Sequence, residues 1–311
     1  MAAAPVPSLR PLGIGDLLDE LFAVYRRRFR TFVGISAVVQ VPIALLSLPQ
    51  ATTSPGYYLY ALLNGQFGSL LNAPRESSGV ASALFVVVMV LALVGTVLEL
   101  AATSEATAAY YRGDPPSIER PYRQALSHFW PLARLFTIMV LTFFGLMLLA
   151  IMPLIIPPLA CLSFPGATVL GIYLFVSWSL APVALILENQ RGALLALGRG
   201  RSLVRGAWWR TFLTLVCLGA LIAVLQLSAS TLSELVAFGL QAIGAPGATQ
   251  QPTWIAAVAS LLNNLVALVI GPLYYIGICL LYYDRRVRAE GYDLAVQARA
   301  LRQAATATEA V

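Results

Sequence analysis

The chain reads as an all-α, polytopic membrane protein with six transmembrane helices, and three observations predict it. Hydrophobic residues fill 59% of the 311 positions and charged residues only 11%, against about 25% charged in an ordinary soluble domain. The apolar residues gather into six runs, each near the roughly 20 residues that a helix needs to cross a bilayer. All 20 basic residues are arginine, and they cluster at alternate ends of those runs. A single membrane domain over 1–311 follows, with little room for a soluble catalytic domain.

The first element is a surface helix over 16–30. Leu18, Leu21, Phe22, Tyr25, Phe29 and Phe32 recur every three or four residues, which is the pattern of a helix lying on a membrane. Asp16 is the expected N-cap, with acids in the first turn and arginines in the last. Spans follow at about 31–48, 80–100, 131–151, 167–187, 211–230 and 261–283, with a tail over 284–311. Pro42 is expected to kink the first span, because its ring removes a helical hydrogen bond. Pro49 to Ser78 is a long connection whose YYLYALL part suits the interface. The second span continues as helix to Arg112 and Gly113. Two more amphipathic pieces, Ile118 to Phe129 and Gly192 to Arg205, precede the third and fifth spans. The fifth is expected to end near Ser230, leading through Ser233, Glu234 and Gln241 to a Gly/Pro/Gln turn, and the sixth to break at Gly271 and Pro272. No cleaved signal segment is expected, because the N-terminus has no apolar core.

The arginines set the orientation. Five precede the first span, four lie between the second and third, five between the fourth and fifth, and five follow the sixth, whereas the opposite side holds only Arg75. Lysine and arginine in short loops mark the cytoplasmic side, so both termini and all the amphipathic helices are expected there. Each cytoplasmic segment also has the same order of amphipathic helix, aromatic-basic cluster and odd-numbered span. FRTFV at Phe29 and WRTFL at Trp209 match closely, FWPLA at Phe129 more loosely, and the even spans leave through AYYRG, ENQRG and YYDRR. Three repeated helix-hairpin units are the reading this order suggests; independent use of interface chemistry accounts for it as well.

Chemistry is sparse. With no lysine there is no P-loop, and the one histidine, His128, beside Phe129 and Trp130, leaves no two-histidine metal site and reads as structural or interfacial. Cys161, Cys217 and Cys279 are far apart in apolar surroundings and read as small buried hydrophobes. No cofactor, metal or nucleic acid is expected. Polar groups at membrane depth are the candidate site, because burying them without partners costs several kcal/mol. These are Asn263 and Asn264, followed by Glu99 and Glu188 near the cytoplasmic ends of even spans, where Arg134, Arg210 or Arg285 is in reach to pair. For the asparagines, interhelical hydrogen bonding is the plainer reading. Arg27, Arg30, Arg199, Arg201 and Arg285 are candidate contacts to anionic headgroups, each attracted by about 1 kcal/mol. After the sixth span, Asp284 with Arg288 and Arg286 with Glu290 are each four apart, so each pair shares a helix face. Gly291 is the expected helix stop, and Asp293 caps a further helix over Leu294 to Ala305.

That last segment, LYYDRRVRAEGYDL, resembles the closing signature of the bacterial glycerophosphoryl diester phosphodiesterase membrane-domain family in Tyr282, Tyr283, Asp284, Arg286, Arg288, Glu290, Gly291, Asp293 and Leu294. IGDLLDELFAVYRRRF and ALGRGRSLVRGAWWR are similar to the family too. The resemblance implies a six-span module of the bacterial plasma (inner) membrane. This chain lacks the soluble phosphodiesterase domain and its histidine and carboxylate set, so the family's name implies no activity here. The reading is a non-catalytic protein that engages membrane lipids, anionic headgroups on the cytoplasmic side, as a lipid-interacting or accessory module. The alternative is a small transporter or channel with a polar site near Asn263 and Asn264; an intramembrane enzyme comes third. Protein partners and homo-oligomers are left open.

Overall fold

The computed structural model describes residues 13–47, 79–151, 157–244 and 253–291. Every regular element among them is a helix: α1 (Ile14–Arg27), α2 (Phe29–Ser47), α3 (Gly79–Arg112), α4 (Glu119–Ser127), α5 (Phe129–Ile151), α6 (Pro157–Trp178), α7 (Ala181–Leu187), α8 (Ala193–Val204), α9 (Trp208–Gly244) and α10 (Thr253–Glu290). Six stretches are long and apolar enough to cross a membrane: Phe29–Leu46, Val86–Arg112, Phe129–Ala150, Ser163–Leu187, Trp208–Gly244 and Ala257–Glu290. Many of their side chains point outward, including Leu141 and Phe144 on α5 and Leu227 and Phe238 on α9. In water such faces would be unfavourable, whereas lipid tails solvate them. The architecture is that of a multi-pass membrane protein.

Several boundaries differ from the sequence expectation for identifiable reasons. The α1 helix starts one turn early, at Ile14, so Asp16 is its third residue and not its N-cap; the Asp16 Oδ2 accepts the Gly13 N–H at 3.0 Å. Its buried face is Leu17, Leu21, Val24 and Tyr25, with Leu18 and Phe22 only half-buried at the edge. The fifth span does not stop at Ser230. Ser228, Ser230, Thr231 and Ser233 each donate a hydroxyl to a carbonyl three or four residues back, which absorbs their polarity without ending the helix. Nor does Pro272 break α10, and Pro42 lies inside α2. The interruption falls in the fourth span instead. There α6 ends at Trp178 and α7 restarts at Ala181 with Pro182 in its first turn, because proline cannot donate to residue 178 and its ring crowds that carbonyl. The 49–78 connection, the turn after Gly244, Asp293 and the helix expected over 294–305 lie outside the described residues.

The described residues form two compact units. The first draws on Met1–Phe32, Leu100–Ala220 and Leu273–Val311, the second on Val33–Glu99 and Leu221–Pro272. Neither is a continuous segment, and every change of unit falls inside a long helix, so the division follows no linker.

In the first unit α8 packs against α5, α6 and α7. A methyl group on Gly200 of α8 would lie 2.9 Å from the backbone nitrogen of Ala181, so only glycine lets α8 sit this close to the start of α7. Gly277 plays a similar part on α10. Its added Cβ would meet Leu218 of α9 at 2.6 Å and Leu21 of α1 at 3.0 Å. Tyr282, Phe32, Leu21, Leu132, Leu185 and Leu218 are among the largest fully buried side chains. Burying the Tyr25 phenol beside Phe29 and Phe32 pushes its pKa up to about 12. In the second unit, Gly95 of α3 faces Val39 of α2 without room for a side chain, and Gly244 sits against the Trp254 ring.

Each of α1, α4 and α8 is short and precedes a long apolar helix after a break of one to three residues. Single-residue breaks at Arg28 and His128 suffice for the first two. The third uses Arg205, Gly206 and Ala207, with Gly206 at φ 84°.

Candidate functional site

The polar exits of the three even spans meet in the first unit. The α3 exit ends in Tyr110 and Tyr111, the fourth span in Glu188, and α10 in Tyr282 and Tyr283. The Tyr111 and Tyr283 rings lie 5.6 Å apart, and Tyr282 donates its hydroxyl to Glu188 Oε1 at 2.8 Å. Tyr111 also donates to Glu20 of α1 at 3.1 Å, and Arg27 donates to the Tyr110 hydroxyl at 2.7 Å.

Glu188 is the centre of this network. Arg199 of α8 grips both carboxylate oxygens, with Nε at 3.0 and 2.9 Å and an Nη at 2.9 Å. The same guanidinium pairs with Glu290 through its other Nη. Arg286 bonds Glu290 at 3.2 Å and the Tyr282 hydroxyl at 3.2 Å, and approaches Glu188 at 4.0 Å. Burial by itself would raise the Glu188 pKa, but the hydrogen bonds from Arg199 and Tyr282, with the charges of Arg199 and Arg286, outweigh it and hold the carboxyl below its ordinary value. Hydrogen bonds to Glu290 and Glu188 raise Arg199 in turn. Two acids and two arginines thus neutralise one another, and the arrangement holds α8 to the end of α10.

Four of the signature residues, Tyr282, Arg286, Glu290 and Asp284, are therefore internal partners. Asp284 is buried and accepts from Arg288 at 2.8 Å, with Arg210 at 3.8 Å. Both expected i, i+4 pairs form, and Gly291 follows α10 at φ 60°, where a side chain would be strained. Tyr283 adds its ring contact to Tyr111, and Asp293 lies outside the described residues.

The other expected residues separate. In the second unit Glu99 is buried at 2% exposure and meets no arginine among the described residues: Ser36 donates to its Oε1, Gln40 donates to its Oε2 at 3.3 Å, and Gly271 leaves space beside it. The arginine partner expected for it is replaced by neutral donors because Glu99 lies 13 residues before Arg112, well inside α3. Asn263 and Asn264 donate to the carbonyls of Ala259 and Ser260 on their own helix, at 3.2 and 2.8 Å, and among the described residues not across to a second helix. Among the candidate headgroup arginines, Arg27, Arg30 and Arg201 are exposed and Arg199 is held by two acids. Arg285 is only 5% exposed, with a buried Nε that has no hydrogen-bond partner. It falls on the inward stripe of α10 with Ile278, Leu281 and Tyr282, so it does not reach out as expected. His128 is buried, its Nε2 2.7 Å from Asn189 Oδ1. Cys279 is buried with its thiol near the Ser104 carbonyl, and Cys217 is half-buried; the Cys161 side chain lies outside the described residues.

One site is not anticipated from the sequence. A cleft of about 740 Å³ opens in the first unit between the α1–α2 junction, the end of α3 and α4. Arg28, Arg112, Arg120 and Arg123 line it, opposed by Glu105, Asp114 and Glu119. Arg112 pairs with Glu105 and, at 3.1 Å, with Asp114. Glu105 and Arg112 are seven residues apart, two helical turns, and that spacing was a readable signal. Arg28 was not foreseeable, since it reaches the Asp114 carbonyl 86 residues away. Comparison of the chain with family models, with curated proteins and with solved structures finds no match.

Proposed function

We propose that this chain is a non-catalytic, lipid-interacting accessory module of the bacterial plasma membrane, with both termini cytoplasmic and with the family relationship that its closing signature suggests. One observation carries the reading. At each junction between a short helix and the long helix after it, an aromatic side chain stands exposed: Phe29 at 43%, Trp130 at 70% and Trp209 at 75%. Arginines flank them, including the exposed Arg30, Arg134 and Arg205. Aromatic rings with arginines suit the headgroup region, where anionic lipids attract each arginine by about 1 kcal/mol. Exposed Leu194 and Leu195 at the start of α8 extend the apolar part of that surface.

The test is reconstitution in nanodiscs of phosphatidylcholine with and without phosphatidylglycerol. The anionic lipid is expected to raise the Tm and to be retained by native mass spectrometry, and Arg30→Gln with Arg205→Gln to weaken both effects. Indifference to the anionic lipid would remove the reading. The transporter or channel alternative rests on Asn263 and Asn264, whose amide donors are occupied within their own helix; it gains no support from them.

A further inference from the structure

We propose that the cleft between the α1–α2 junction, the end of α3 and α4 binds a single phosphate-bearing group. The inference does not depend on the exposed junction aromatics, because it concerns a separate concave site.

The charge in the cleft is unequally compensated. Four guanidiniums face three carboxylates, an excess of one positive charge. Arg112 is neutralised by Glu105, whose side chain is only 7% exposed, and by Asp114. Arg123 pairs with Glu119, but both are about 80% exposed and four apart on one helix, a type of pair that contributes little and exchanges readily. Among the described residues, the remaining two cations meet no carboxylate. Arg28 donates to a neutral acceptor, the Asp114 carbonyl, and lies over the Tyr110 ring at 5.3 Å. Arg120 is exposed, and among the described residues its backbone N–H alone is engaged, by the Ser117 hydroxyl at 3.4 Å. They come from different elements, one from the α1–α2 junction and one from α4. Planar guanidiniums on two elements of one cleft match the several oxygens of a phosphate, and Thr31 and Ser127 add hydroxyls to the same lining. A cation would meet the surplus positive charge.

Phosphate chemistry has two sources here, a lipid headgroup and a free phosphate or phosphomonoester, and the experiment separates them. Purified protein in pure phosphatidylcholine nanodiscs is titrated with inorganic phosphate at constant ionic strength, with chloride as control, and Tm and calorimetric binding are read. Wild type is expected to bind phosphate. Arg120→Gln, an exposed position where folding is not at stake, and Arg28→Gln combined with it should weaken binding by about tenfold or more, as loss of charge-assisted bonds predicts. Arg26→Gln, exposed and outside the cleft, should not. The titration is then repeated with phosphatidylglycerol in the disc. Unchanged phosphate binding identifies a free phosphate as the occupant; blocked binding, with lipid retention lost in the double variant, identifies a headgroup. If neither phosphate binding nor lipid retention in the double variant differs from that of Arg26→Gln, the proposal is overturned.

Discussion

Glu188 and Glu99 look alike in the sequence, each an isolated acid in the apolar or polar end of an even span, and the structure treats them in opposite ways. Glu188 is gripped by the bidentate guanidinium of Arg199, the Tyr282 hydroxyl and the side chain of Gln190, so its charge is met by charge. Glu99 receives only the neutral donors Ser36 and Gln40. The first arrangement is a clamp between helices whose strength depends on ionisation. The second is made by neutral donors; an amide at this position would keep the Ser36 bond at its oxygen, and the Gln40 amide would have to turn its own oxygen inward to keep the other. Distance along the helix decides which occurs: Glu188 lies just past the end of α7, where α8 can return an arginine to it, whereas Glu99 lies well inside α3.

The comparison can be broken most directly at Arg199. Arg199→Ala leaves Glu188 and Glu290 without their shared cation; the group is part-buried and Arg286 stays near, so the loss is expected between that of an exposed and a buried pair, about 2 to 3 kcal/mol; unfolding in a graded detergent series should show it, with partial recovery in Arg199→Lys. A smaller difference separates the two acids. Glu188→Gln should cost about 2 kcal/mol and Glu99→Gln about 1 kcal/mol or less, since a charged hydrogen bond is worth roughly twice a neutral one. Equal losses would mean that the two carboxylates do the same work. The pH profile sharpens this point. Because Glu188 titrates below its unfolded value, the unfolded chain takes up the proton first as pH falls. Its contribution is therefore complete above about pH 4.5 and declines as pH drops toward the lower folded value. Stability measured from pH 3 to 7 should fall more steeply in wild type than in Glu188→Gln. The smallest effect is expected at Asn263→Leu and Asn264→Leu, about 0.6 kcal/mol or less, because both amides donate only within their own helix; a large loss would show that they face something outside it.

Much of the helical plan was legible. Apolar runs and arginine clusters located six long helices and three short ones, and the spacing at Asp284, Arg286, Arg288 and Glu290 predicted both intrahelical pairs. The misplaced ends have local causes: serine and threonine hydroxyls folded back on α9, and a proline that interrupts the fourth span while another passes through α10. The candidate site was less legible. Glu188, Tyr282, Arg286 and Glu290 were all visible as polar residues near a membrane boundary, yet their convergence with Arg199 depends on contacts up to 94 residues apart. Arg285 stands in the basic run after the sixth span as a candidate headgroup contact, yet it is buried because it falls on the stripe of Leu281 and Tyr282.

What the sequence by itself determined is the class of this protein, a chain of six long apolar helices. Twenty-residue apolar segments settle as helices in a bilayer, since a helix satisfies every backbone group within one segment, and both the apolar runs and the arginine placement are one-dimensional properties of the chain. Tertiary structure alone decided which charges are consumed and which remain available. Arg199 and Arg28 belong to similar basic clusters in the sequence; one meets two carboxylates, and the other meets a backbone carbonyl at the rim of a cleft. Pairing depends on which donor and acceptor atoms come within about 3 Å of each other, a relation between distant segments that no local pattern encodes.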